Sequence, residues 1–267
     1  MPRIRVGVLD SGVGGLTVVR SLIQRRAPFE ILYFGDNANM PYGNRTSGEI
    51  VGLAKRMLDF LAARGIQAAA VACNTIAPIV DRLEPAFPFP ILDIVKPAAE
   101  QLARRGEPEI GLFATEFTVY SGMHAWIAHA INPDLTIHGV SSRHLAALID
   151  ASPWDEAAIR AEINSMVEAM RVHRAVRTIL LGCTHYPIVQ DMFEEAAPEM
   201  EFLDPADLQA DALLSLFEGN EALAEDGTDD VGPVLDIFTT GNPAVFQPVL
   251  ERLGIGAPRS LQIVPRS

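Results

Sequence analysis

Residues 3–23 read RIRVGVLDSGVGGLTVVRSLI. A mainly apolar run at 4–9 is followed by an aspartate, a glycine-rich turn and an amphipathic stretch at 16–26. That order spells a buried strand, a tight turn and a helix. The alternation continues to the end of the chain. Short apolar runs at 31–34, 68–72, 91–92, 110–114, 136–140, 178–182, 235–239 and 261–264 predict further strands. Between them Thr46 and Glu49 form a capping box for a long helix whose apolar face is Ile50, Leu53, Met57, Phe60 and Leu61, with Gly65 as its stop. Other helices are expected from about Ala77, from Pro97, at 122–130, 145–149 and 188–196, and at 244–253. Ser152, Pro153 and Asp155 should start another long one, and Asp204-Pro205 one that runs to about Phe217. The acidic stretch 218–232 reads as a surface loop.

Strands that alternate with helices imply right-handed βαβ units and parallel sheets, hence an α/β fold. The pattern also echoes itself. VGVLDSG near the start resembles IGLFATE at 110–116, and AAAVACNT at 68–75 resembles RTILLGCTH at 177–185. Two similar halves would each bring one cysteine to the carboxyl end of a strand, the edge at which open α/β sheets bind ligands.

The 267 residues are 49% hydrophobic and 21% charged, enough to bury a sizeable core. Net charge is −13 with no block of Lys and Arg, so the footprint of a nucleic-acid binder is missing. No apolar run approaches the roughly 18 residues that span a bilayer. The first residues lack a signal-peptide pattern, which predicts a cytoplasmic protein with no membrane association. The two cysteines, Cys73 and Cys183, are too few for a disulfide scaffold. No CxxC or HExxH occurs, so no metal site is expected. Neither of the two lysines, Lys55 and Lys96, is placed like a Schiff-base anchor.

The turn SGVGGLT at 11–17 fails the dinucleotide fingerprint, which needs a third glycine where Thr17 stands. Its amides and the Ser11 hydroxyl suit a carboxylate; a purely structural turn is the other reading. A buried strand cysteine is commonly just a small hydrophobe. Here each thiol ends an apolar run and meets polar neighbours, Asn74 and Thr75 after Cys73, Thr184 and His185 after Cys183, as a working thiolate requires. His185 shares a face with Cys183 on an extended backbone and is placed to handle its proton. Asp10 closes the first strand, where a carboxylate needs partners or work. Tyr42-Gly43, after a second acidic edge at Asp36, read on spacing alone as a loop.

DSGVGGLTV, FGDNANMPYG, ACNT and GCTHYP, in that order across residues 10–187, together resemble the glutamate racemase family of the aspartate/glutamate racemase superfamily. The resemblance implies two α/β domains with the active site in the cleft between them: 1–96 with 208–267, and 97–207. It implies a cofactor-independent enzyme that interconverts L- and D-glutamate and supplies D-glutamate for peptidoglycan synthesis. It matches Cys73 and Cys183 to the two catalytic thiols, with Asp10 assisting the first and His185 the second. It matches Asp10-Ser11, Tyr42-Gly43, Asn74-Thr75 and Thr184-His185 to the substrate-binding pairs. A homodimer stays open. Leu148-Ile149-Asp150 stands where the family usually has Leu-Val-Glu, which assigns Asp150 to support Cys183. Ser141-Ser142-Arg143 replaces a Cys-Pro, and Ile76-Ala77 follows CNT where a small residue and a hydroxyl are usual. These departures keep aspartate racemase, hydantoin racemase and maleate isomerase as alternatives.

Chemically, inversion at Cα removes a proton from one face and delivers one to the other. One thiol on each side does this without turning the substrate over. Donors on the α-carboxylate, such as Ser11, Asn74, Thr75 and Thr184, would stabilise the carbanion character that develops.

Overall fold

The computed structural model describes residues 3–151, 153–219 and 232–265. Its strands make two sheets, and every pair in both is parallel. The first contains β1 (Ile4–Asp10), β2 (Phe29–Gly35), β3 (Ala68–Val71), β4 (Ile91–Asp93), β9 (Val234–Thr239) and β10 (Ser260–Ile263) in the order β10-β9-β2-β1-β3-β4. The second contains β5 (Glu109–Ala114), β6 (Thr136–Ser141), β7 (Thr178–Gly182) and β8 (Glu201–Leu203) in the order β6-β5-β7-β8.

The order β2-β1-β3-β4 recurs as β6-β5-β7-β8. In the alignment of the sequence echo, Leu9 corresponds to Phe113 and Val71 to Leu181. The register pairs Leu9 with Val71 and Phe113 with Leu181, so the two halves repeat down to the residue.

Successive side chains of β1 point to opposite faces of the sheet. Val6 and Val8 pack with Leu16, Val19 and Leu22 of α1 (Leu16–Gln24), whereas Leu9 packs with Ile50, Leu53 and Met57 of α2 (Ser47–Ala62). Thr46 and Glu49 make the expected capping box at the start of α2. The second sheet is covered by α3 (Val95–Arg104), α4 (Glu116–Ser121), α5 (Met123–His129), α6 (Leu145–Asp150), α7 (Glu156–Met170) and α8 (Gln190–Ala196). One apolar cluster runs from β1 through α9 (Ala206–Ser215) and α10 (Phe246–Arg252) to Leu181 of β7 and Met166 of α7, joining both sheets in one core.

Some local features differ from the expectation. The helix from Ala77 is instead two 3-10 turns, Ala77–Arg82 and Glu84–Ala86; Pro85 lacks the N–H that a continuous helix would bond to the Asp81 carbonyl. The helix expected at 122–130 is α5, but an unforeseen short helix, α4, precedes it and the two meet at Gly122, whose φ is +63°. The start of the helix expected at 188–196 is a 3-10 turn, Tyr186–Val189, ahead of α8. The three-residue β8 carries too little pattern to be read. Asp155 caps α7 as expected, by accepting from the Ala158 N–H. Ser152 and most of the expected acidic loop, 220–231, lie outside the described residues.

Gln209 on α9 is fully buried, and its amide donates to the carbonyls of Val71 at 2.9 Å and Leu92 at 3.1 Å. It clips α9 to the ends of β3 and β4, beneath the segment that carries Cys73. Gln209→Leu would remove both hydrogen bonds and should cost about 1–3 kcal/mol in chemical denaturation. A change below the error of the fit would show that the carbonyls find other partners.

Candidate active site

The carboxyl edges of the two sheets meet at a small buried cavity. Cys73 lies just past β3 and Cys183 directly past β7, and both line it. Ser11, Asn74 and Thr75 line it from the first sheet, Thr184 and His185 from the second, and Tyr42 and Gly43 from a 3-10 turn after β2. The sequence therefore names nine of its wall residues. Asp10 and Asp150 are not on the wall; each sits behind it.

Asp10 is fully buried at the end of β1. One carboxylate oxygen accepts from the Gly12 N–H at 2.8 Å and the other from the Thr184 hydroxyl at 3.0 Å. It thus ties the glycine turn of the first sheet to the thiol loop of the second. Burial raises its pKa, against the pull of His185 and its hydrogen bonds. The Cys73 thiol lies 3.5 Å from the Ser11 hydroxyl. Burial, with Asp10 adding to it, pushes this thiol up to about 12.

Around Cys183 the charges are opposite. His185 Nδ1 is 3.9 Å from the sulfur, and Nε2 is 3.4 Å from an Asp150 carboxylate oxygen. Burial alone would depress the imidazolium, but the hydrogen bonds and charges of Asp150 and Cys183 outweigh it and hold it well above its usual range. Burial would likewise raise Asp150, yet His185 and Asn37 lower it. Asp150 ends α6, whose first turn is capped by Ser142: its hydroxyl accepts from the N–H groups of His144 and Leu145 and donates to Glu162 at 2.7 Å.

The glycine turn is tight for a packing reason. A Cβ at Gly14 would stand 2.3 Å from the Thr184 hydroxyl and 2.9 Å from His185 Nδ1; one at Gly12 would stand 2.5 Å from Met40 Sδ and 3.2 Å from His185 Nε2. The loop after β7 lies directly on this turn, and only glycine admits it.

Asn74 is buried, and neither its amide nitrogen nor its oxygen has a partner in the protein. Leaving such groups unpaired costs about 1–3 kcal/mol, which marks them as ligand contacts. Tyr42 differs: its hydroxyl donates to Asp36, which ties its phenol to the loop. The wall includes no Arg or Lys, so apart from the His185 imidazolium an anion would be met by amides and hydroxyls. Among the described residues no group of three His, Cys, Asp or Glu is placed to hold a metal, and no helix is long and apolar enough to cross a membrane.

Sequence reasoning missed Thr115 and Thr118 on the wall, and Asn37 behind it. The echo carried the signal for Thr115, which aligns with Ser11; Thr118 bonds it at 3.0 Å.

The sequence pattern of the Asp/Glu/Hydantoin racemase family matches residues 10–213. The chain belongs to this racemase family. The racemase is 32% identical over 257 residues to the glutamate racemase of Desulforudis audaxviator, covering 93% of each chain. Its fold superposes on glutamate racemase isoform RacE1 of Bacillus anthracis with a TM-score of 0.85 at 28% identity, covering 99% of this chain and 97% of the other. The glutamate racemase of Francisella tularensis in complex with D-glutamate also gives 0.85, at 26% identity over 98% and 97% of the two chains.

Proposed function

We propose that this racemase inverts glutamate by passing protons between Cys73, Cys183 and the two faces of Cα, without a cofactor. The observation that carries the reading is the pair of buried thiols on one cavity wall, each backed by a different carboxylate. In this reading residues 1–96 with 208–267 and residues 97–207 are two domains that close on the substrate, and closure strengthens the hydrogen bonds by excluding water. Glutamate is favoured over other acids because proteins named glutamate racemases match nearly the whole chain. D-glutamate made this way would serve peptidoglycan synthesis in the cytoplasm.

The two thiols have different electrostatic neighbours. Cys73 is held as a thiol by burial and by Asp10. Cys183 instead faces the His185 imidazolium, whose Nδ1 lies 3.9 Å from the sulfur. In this reading Cys183 takes a proton from one face while Cys73 returns one to the other; Asp10, with its raised pKa, is the base that recharges Cys73 for the reverse direction. Asn74, Thr75, Ser11 and Thr184, with the amides at Tyr42 and Gly43, hold the two carboxylates and stabilise charge as it develops.

Asp150 holds the His185 imidazolium, so Asp150→Asn should lower kcat by roughly 10–100-fold while KM changes little. The sign of the pH effect follows. Asp150 raises the pKa of His185, so its loss lets the ring deprotonate sooner and moves the alkaline limb of the kcat profile to lower pH. An unmoved limb with normal kcat would remove Asp150 from the mechanism.

To test the reading as a whole, enzyme dialysed against a chelator and a carbonyl trap should invert L- and D-glutamate at undiminished rate, and aspartate far more slowly. Activity lost on dialysis and restored by pyridoxal phosphate or zinc would overturn cofactor independence. Faster inversion of aspartate would overturn the substrate.

A further inference from the structure

Asn37 lies in a 3-10 turn just past β2, on the first sheet, yet its amide nitrogen is 3.5 Å from both carboxylate oxygens of Asp150 on the second. The other end of the same side chain is anchored: its oxygen accepts from the Thr239 hydroxyl at 3.1 Å, and that hydroxyl in turn accepts from the Gly241 N–H at 3.1 Å. Two glycines make room for it. A Cβ at Gly35 would stand 2.9 Å from the Asn37 oxygen, and one at Gly241 would stand 2.8 Å from its Cβ. The amide is thus oriented with its nitrogen toward Asp150, and the chain of contacts continues through His185 to Cys183.

We infer that Asn37 is a positioning residue, which aims the Asp150 carboxylate at His185 and so supports proton transfer at Cys183 but not at Cys73. An amide reaching across from the first sheet thus holds the Asp150 carboxylate in place. Contacts of this length are normal before substrate binds and tighten in the closed complex. The charged and titratable groups that face His185 are Asp150, Asp10 and Cys183, and Asn37 touches only the first of them.

This inference rests on the paired-thiol reading, so the experiment separates the two. Elimination of HCl from 3-chloroglutamate needs only the base that abstracts the α-proton, so each enantiomer reports one thiol. Cys183→Ser identifies which enantiomer depends on Cys183. Asn37→Ala should slow elimination from that enantiomer about tenfold through kcat, with KM nearly unchanged, and leave the other enantiomer within about twofold. Its kcat–pH profile for the affected enantiomer should lose its alkaline limb at lower pH than wild type. Asn37→Asp, which keeps the packing against Gly35 and Gly241 but sets a second carboxylate against Asp150, should slow the same enantiomer at least as much. Unchanged rates in both variants, or equal slowing of both enantiomers, would overturn the positioning role. Elimination from both enantiomers surviving Cys183→Ser would instead overturn the paired-thiol reading.

Discussion

Replacing either cysteine by serine should abolish racemisation of glutamate, with kcat down by roughly 10³-fold or more, because a serine hydroxyl is far too weak an acid to cycle as a base. Both thiols line one cavity, and each is buried with 5–6% of its surface exposed, so neither replacement disturbs an exposed contact. Substrate should still bind, because Asn74, Thr75 and Thr184 remain. The two variants should then part company on the chloro analogues. The family resemblance sets Cys183 against the L enantiomer and Cys73 against the D. Cys73→Ser should keep elimination from the L analogue, and Cys183→Ser from the D analogue. Normal racemisation by either variant would end the two-thiol account, whereas swapped elimination preferences would keep it and reverse the facial assignment.

The second large effect comes from one methyl group. In Gly14→Ala the new Cβ would fall 2.3 Å from the Thr184 hydroxyl and 2.8 Å from its Cβ, and neither atom is the far end of a flexible chain. The loop that carries Cys183 must move away, and the Thr184–Asp10 hydrogen bond goes with it. Overpacking of this kind costs about 1–3 kcal/mol. A displacement of about 1 Å at the reacting groups costs roughly 100-fold in rate. The variant should therefore remain folded by circular dichroism, with a lowered Tm, yet lose about two orders of magnitude in kcat. Near-normal turnover would mean that the thiol loop need not lie on the glycine turn for catalysis.

How much of this the sequence reveals depends on the range of the interaction. The parallel α/β architecture, the capping box at Thr46 and Glu49 and the cap at Asp155 are local patterns and are legible. The 3-10 turns after Cys73 are not, because the apolar spacing suits a helix and only the prolines oppose it. The glycine turn reads from sequence either as an anion cradle or as a structural turn. Its glycines also make way for Thr184 and His185, some 170 residues away, which no local pattern records. Thr115 was within reach through the echo with Ser11. Asn37 was not, since its partners Asp150 and Thr239 are 113 and 202 residues distant and an asparagine in a loop looks like turn chemistry.

The central claim is that the α-proton of glutamate leaves on one thiol and that its replacement arrives on the other. Proton NMR of L-glutamate with dialysed enzyme in D2O tests it most directly. The account predicts that the Cα–H signal is lost in step with the appearance of D-glutamate, with deuterium at Cα in every product molecule formed early, and that neither Cys73→Ser nor Cys183→Ser yields D-glutamate. Substrate that binds but keeps its Cα–H, or D-glutamate that forms with the original proton retained, would contradict it.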